Sequence, residues 1–301
     1  MWASDGDKSE GTAMNGLRRT LALAIAASLV SLGAANAAPP TRATPADFAA
    51  IYANPWNDDL FEAFLLKLPT VRRGAKVRYV WQGDLLVDRE TIRRDILAQS
   101  SGDAPARSND ELKVMTVNGV PSFWPRNKRN LTFAVDRASF PSPSAYQTAA
   151  ANLEKAAKAW VQACPQCGLQ MTHLAQYDAA PDPTKVTFVA RYDKDETSFI
   201  AAAFFPADPL EDHVLVIAPE YFTTDFDRVG VFRHELGHVL GYRHEHIAGI
   251  PGCGVEDNNW KPLTPYDKSS VMHYFCGGAG SMTLALSPTD VAGHRGLYGA
   301  Q

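Results

Sequence analysis

His234-Glu235-Leu236-Gly237-His238-Val239-Leu240-Gly241-Tyr242-Arg243-His244 puts three imidazoles and one carboxylate into eleven residues. Residues four apart share a helix face, so a helix here aims His234 and His238 the same way. Gly241 can then leave the helix in a backbone conformation closed to most residues, and such a turn returns His244 as a third nitrogen. Three imidazoles leave the fourth position of a tetrahedral zinc open to water, which distinguishes a catalytic ion from a structural one. Glu235, next to the first histidine, is placed to take a proton from that water. A surface helix would explain His234 and His238 as solvated or capping groups, but it has no use for Gly241 and His244 at this spacing.

Working outward, Val229, Phe232, Leu236, Val239 and Leu240 give this helix an apolar side, and Asp225 or Asp227 can cap its start. Upstream, 131–135, 186–191, 201–205 and 213–218 read as strands. Residues 144–162 form an alanine-rich helical run with Leu153, Ala156, Ala157 and Trp160 on one face. Ser287-Pro288-Thr289-Asp290 opens a last helix through Leu297. The pattern predicts an α+β fold, a mixed sheet with a helix bearing the site. Further toward the N-terminus, helices are expected over 60–68 and 88–99 and strands over 77–81 and 112–117. Gly83-Asp84 interrupts the first strand, 39–47 reads as a proline-rich spacer, and 100–110 as a polar loop. Pro121, Pro125 and the basic 126–129 segment mark a domain boundary. No internal repeat is visible.

The 301 residues are 46% hydrophobic, enough for one large or two modest domains. Lysine and arginine number 29 against 33 acidic residues, a net charge of -4, so no basic stripe points to nucleic acid. Two arginines after Met14, an apolar run over 21–32 and Ala35-Asn36-Ala37 make an export signal, with translation starting at Met1 or Met14 and cleavage near Ala37 or Ala38. The run is short for a bilayer span, so a stable membrane anchor is not expected. The chain is expected in the periplasm or outside the cell. Its four cysteines, Cys164, Cys167, Cys253 and Cys276, suit disulfides there. Three pairings exist. Cys164–Cys167 with Cys253–Cys276 is favoured, because the second pair would staple loops either side of the turn at Gly241; a Cys-x-x-Cys redox centre is the rival for the first.

The long histidine motif resembles that of the metzincin zinc endopeptidases, in which a methionine turn follows. Ser270-Val271-Met272-His273-Tyr274 matches that turn, with Met272 as the apolar floor of the histidine cage. The Ser-x-Met-His-Tyr form, and Glu245 directly after His244, look most like the astacins, where the residue matching Tyr274 can ligate the resting zinc and swing away to stabilise an oxyanion. Leu286-Ser287-Pro288-Thr289-Asp290 and the closing Leu297-Tyr298-Gly299 look more like matrixins and their bacterial relatives. The resemblance implies a zincin-like fold with a mixed twisted sheet and an active-site helix, divided as 1–38 extension and signal, 39–122 propeptide and 123–301 catalytic domain.

It also implies an activity. Zn2+ held by His234, His238 and His244 would polarise water and the scissile carbonyl, Glu235 would act as general base, and Tyr274 would help hold the developing negative oxygen. Substrates would be proteins or peptides lying along a sheet edge, for which Ala201-Ala202-Ala203-Phe204-Phe205 is a candidate. Trp81-Gln82-Gly83-Asp84 is similar to the Phe-x-Gly-Asp segment of astacin propeptides, so Asp84 would fill the fourth zinc position in a latent form; an ordinary turn is the rival. No cysteine in this region allows a cysteine latch. Asp193, Asp195, Glu196, Asp208, Glu211 and Asp212 could bind Ca2+, but their spacing matches no known loop. A monomer is expected. The rival to a peptidase is an inactive zinc- or peptide-binding relative, against which intact Glu235 argues.

Overall fold

Parallel strands cannot be joined by tight turns; each connection must cross over the sheet. Four strands pair in this way, three of them apolar runs. Gln170–His173, Asn130–Val135, Phe188–Tyr192 and Val214–Ile217 lie side by side in that order, all parallel, and Ala201–Ala202 closes the edge antiparallel to the last. The structure is a computed structural model that describes residues 43–73, 76–81, 84–100, 112–248, 250, 253 and 259–299. The expected export signal, both candidate start positions, Gln82-Gly83 and nearly all of the polar loop lie outside the described residues. Among the described residues no helix is long and apolar enough to cross a membrane.

The first crossover is the helix Pro143–Ala163. Ser142 caps it by accepting from the Ala145 N–H at 3.1 Å, and Pro143 takes the first turn, where its missing N–H costs nothing. Ala149, Leu153, Ala156, Ala157 and Trp160 are buried along one face. The histidine helix, Arg228–Val239, packs against this one. Its cap is Asp227 rather than Asp225: the Asp227 carboxylate accepts from the Gly230 N–H at 2.6 Å. Gly237 lets the floor approach, since a Cβ there would sit 2.3 Å from Met272 Sδ and 3.5 Å from the Trp160 ring.

A second sheet stitches the chain around the turn at Gly241. Lys113–Val117 pairs antiparallel with Tyr242–Arg243 and with Trp260–Pro262, and Val120–Pro121 folds back onto its end. Leu112 lies in the main core. This strand precedes the boundary expected at 122/123, yet its hydrogen bonds run into the histidine-bearing half.

Residues 43–100 build a module of their own. Three helices, Pro45–Ala53, Asp58–Leu65 and Arg89–Ser100, surround an antiparallel sheet of Thr70–Arg73, Lys76–Trp81 and Leu85–Val87. Ile51, Phe61, Phe64, Trp81, Ile92 and Ile96 form its core, with Phe205 as the buried guest from the larger half. The first helix replaces part of the spacer expected over 39–47. Thr44 and Asp47 cap each other reciprocally, and Pro45 suits the first helical turn.

The expected edge strand over 201–205 also differs, pairing only at Ala201–Ala202. Beyond it the Phe205 N–H donates to Asp208 at 2.8 Å, which turns the chain out of the ladder and delivers the Phe205 ring to the module. The cysteines pair as Cys164–Cys167 and Cys253–Cys276.

One buried histidine outside the motif sets a pH dependence. His294 is fully buried on the last helix, Pro288–Gly299, with its Nδ1 2.7 Å from the Tyr242 hydroxyl. Burial, with the Arg129 and Arg295 charges near it, pushes its imidazole down to about 4, against about 6.5 when unfolded. The folded state therefore binds the proton less readily than the unfolded one. The contribution is complete above about pH 6.5 and lost as pH falls through about 4. It amounts to about 3 kcal/mol at most. His294→Asn should flatten the loss of thermal stability between pH 7 and pH 4 relative to wild type; parallel melting-temperature profiles would assign that loss to other groups.

Candidate metal centre

The histidine helix ends where the sequence reading ends it. The Leu240 N–H donates to Leu236 and Gly237 carbonyls, and the Gly241 N–H to His238 at 2.8 Å. Gly241 sits at φ +98°, and a Cβ there would lie 2.2 Å from the Ser122 carbonyl, so both conformation and space demand glycine. The Gly241 carbonyl accepts from the Met115 N–H at 2.8 Å, the adjoining strand pairs with Lys113–Val117, and His244 comes back beside His238.

The protons on two of these rings are fixed by their partners. His234 Nδ1 lies 2.7 Å from the Val271 carbonyl and His238 Nδ1 2.8 Å from the Tyr242 carbonyl. A carbonyl can only accept, so each Nδ1 carries the hydrogen and each Nε2 turns a lone pair inward. His238 Nε2 is 3.2 Å from His244 Nε2. Asp84 reaches into the same space, with Oδ2 3.3 Å from His234 Nε2 and Oδ1 3.2 Å from His244 Nε2 and 3.8 Å from His238 Nε2. Four ligands about 2.0–2.1 Å from a tetrahedral zinc would stand about 3.3 Å from one another. The four side chains are buried, and their ligand atoms all lie within 4.8 Å of each other. His234 Nε2 and Asp84 Oδ1 have no hydrogen-bond partner. Converging lone pairs without donors fit a divalent cation.

Glu235 is buried beside this cluster. Its carboxylate accepts from the Ala203 N–H, while Oε2 has no hydrogen-bond partner. Burial, and the Asp84 carboxylate near it, raise Glu235 well above the usual carboxylate range. Burial, then the neighbouring His244, pushes His238 well below the usual imidazole range, toward the neutral form that binds metal.

The floor is held from a distance. Asp290, at the start of the last helix, exchanges hydrogen bonds with Ser287, accepting from its N–H at 2.8 Å while the Asp290 N–H donates to Ser287 Oγ at 2.9 Å. The same carboxylate accepts from Ser270 Oγ at 2.6 Å and from the Val271 N–H at 2.8 Å. Val271 in turn orients His234. In the sequence, Ser287-Pro288-Thr289-Asp290 marks a helix start and part of a family resemblance; a buried acid reaching back to the methionine turn leaves no local pattern. Met272 is fully buried with its sulfur against Gly237, and its carbonyl accepts from the Glu245 N–H at 2.9 Å. The Tyr274 ring lies 4.2 Å from that of His244 and 5.8 Å from that of His234.

Next to Asp84 and Glu235 opens a cavity of about 230 Å³ whose apolar walls include Phe199, Ile200, Phe226, Val231, Phe275 and Leu284. The six acidic residues considered for calcium do other work. Asp193, Glu196 and Asp208 bind nearby main-chain N–H groups, Lys194 pairs with Asp195 at 3.1 Å, Arg78 pairs with Asp212, and Lys76 pairs with Glu211 at 2.7 Å. Among the described residues none of the six joins a metal-capable group; the second such group is His246, His273 and Cys276, whose cysteine is in a disulfide.

No protein-family model matches the chain, and no curated protein sequence matches it. Two solved structures are similar in part. One, described as the structure of myroilysin, is 14% identical and covers 63% of this chain and 99% of its own, with a TM-score of 0.44. The other, described as a chaperone-substrate complex, is 12% identical and covers 56% of this chain and 35% of its own, with a TM-score of 0.28.

Removing the Asp290 carboxylate strands the buried N–H groups of Val271 and Ser287, each costing about 1–3 kcal/mol. Asp290→Ala should therefore melt earlier and bind zinc about 10–100-fold more weakly, as expected when an outer partner of a ligand is lost. Competition titration against a chromophoric chelator measures this; unchanged affinity would remove Asp290 from the support of His234.

Proposed function

We propose that this chain is the latent form of a secreted zinc-dependent endopeptidase of the metzincin type. The observation that carries the reading is the convergence of the His234, His238 and His244 Nε2 atoms and the Asp84 carboxylate at tetrahedral spacing, with Glu235 beside them. His234, His238 and His244 would hold the ion. When bound, zinc supplies the positive charge that acidifies a water and polarises the scissile carbonyl.

The chain's own groups do the rest. Glu235 takes the proton from water and returns it to the leaving amine. Tyr274, packed against His244, donates a hydrogen bond to the oxygen that gains charge. The short edge at Ala201–Ala202 presents main-chain groups to an extended peptide, and the Ala203 N–H bound to Glu235 ties that edge to the base. The neighbouring cavity, walled by Phe199, Val231 and Leu284, favours an apolar side chain next to the cut bond.

Latency would follow from Asp84. Its carboxylate lies among the three imidazoles, in space a reacting water would need, and it belongs to the 43–100 module. The module is also held by ion pairs of Arg78 with Asp212 and Lys76 with Glu211, and by Val71 and Val80 packing on Phe199, Ala202 and Val216. Because Lys113–Val117 pairs with Tyr242–Arg243, this strand would stay with the histidine-bearing half, and a releasable part would end before Leu112. An inactive metal- or peptide-binding relative would need no buried carboxylate beside the ligands.

In the activated protein, Glu235→Gln should keep one zinc per chain and lose about a hundredfold or more of its casein hydrolysis; near-full activity would remove Glu235 as the base. Full-length Asp84→Ala should cut substrate or itself earlier than wild type in a time course. Identical latency would assign the inhibition to other contacts of the module.

A further inference from the structure

Two histidines outside the His234, His238 and His244 cluster lie behind Tyr274. His246 is buried, with its ring 5.2 Å from His244 at 22° and 4.6 Å from Tyr274 at 34°. The Tyr274 N–H donates to His246 Nδ1 at 3.4 Å. A main-chain N–H can only donate, so His246 Nδ1 is the acceptor. His273 serves the other side of the same residue. Its Nδ1 lies 2.6 Å from the Tyr274 carbonyl, which can only accept, so this nitrogen carries a hydrogen. The ring is held in turn by the Tyr266 hydroxyl, 2.8 Å from Nε2. The Tyr274 carbonyl also accepts from the Cys276 N–H at 2.8 Å, and Cys276 is tied to Cys253.

We infer that His246 and His273 are positioning residues that clamp the main chain of Tyr274 from its N–H and its carbonyl sides, so that the phenol can move only through its own side-chain torsions. This rests on the peptidase reading and adds the means by which Tyr274 is aimed. The two rings do it with opposite nitrogens protonated: His246 offers a bare Nδ1, His273 a protonated one. They also stand 5.4 Å apart, so each limits the tilt of the other. The second metal-capable cluster is thereby accounted for as a structural brace.

The test uses the full-length chain, assayed after activation with a fluorogenic peptide. His246→Leu and His273→Leu should each lower kcat about tenfold, with KM within about twofold and one zinc per chain retained. His246→Asn and His273→Asn, which offer an amide group near the place of Nδ1, should recover most of the loss. Combined with Tyr274→Phe, neither leucine substitution should lower kcat further, because effects that run through one group do not add. An equal fall in the Tyr274→Phe background, or zinc lost in step with activity, would overturn the inference. Hydrogen exchange gives a readout free of catalysis. The Tyr274 amide should exchange about tenfold faster in His246→Leu while the Leu240 and Gly241 amides stay protected; unchanged exchange at Tyr274 also overturns the clamp. Faster exchange together with an activated wild type that hydrolyses nothing would sink the peptidase reading and leave the clamp standing.

Discussion

Two carbonyl oxygens govern the centre. Val271 and Tyr242 each take the hydrogen of one imidazole Nδ1, and that choice turns the opposite nitrogens, bare, toward a common point. Without those bonds His234 and His238 could carry their protons on either nitrogen and rotate to suit solvent. With them, the two bare Nε2 atoms face the Asp84 carboxylate at 3.3 and 3.8 Å, an arrangement that repels unless positive charge lies among them. The ligand set is thus prepared by main chain, and the main chain must be held in turn.

It is held by long-range contacts. Tyr242 is fixed because its strand pairs with Lys113–Val117, which also pairs with Trp260–Pro262. Val271 is fixed because Asp290, reaching back from the last helix, accepts its N–H and the Ser270 hydroxyl together. Gly237 and Gly241 make room for these supports, the first for the Met272 sulfur and the second for the Ser122 carbonyl. Segments far apart in sequence therefore meet under a single helix. A defect in any of them reaches the ligands through one hydrogen bond.

The parts legible in sequence were those with a local cause. The histidine spacing, the apolar face of the 143–163 helix and the apolar runs of three parallel strands follow from periodicity, and each lies within a few residues of its expected place; the strand Gln170–His173, polar but for Met171, had no expected counterpart. The spacer hid a helix because its signal was a single capping pair, Thr44 with Asp47, amid prolines. The edge strand was overread because Phe205 looks like a strand residue but belongs to the core of the smaller module. Asp290 and the Arg78–Asp212 pair were invisible for another reason. A carboxylate that acts on a segment distant in sequence has no spacing to recognise, and its meaning exists only once the chain has folded.

Among the described residues, the smaller module touches the rest through an apolar face and paired charges. While the chain is intact, the tether keeps Asp84 at an effective concentration of about millimolar or more near the histidines. If, as proposed, this link ahead of Leu112 is cut in maturation, the same contacts would become a bimolecular equilibrium, and occupancy would depend on how much of the released fragment remains nearby. Dilution into the surroundings would then be the signal that frees the centre, and confinement with the fragment would keep it shut.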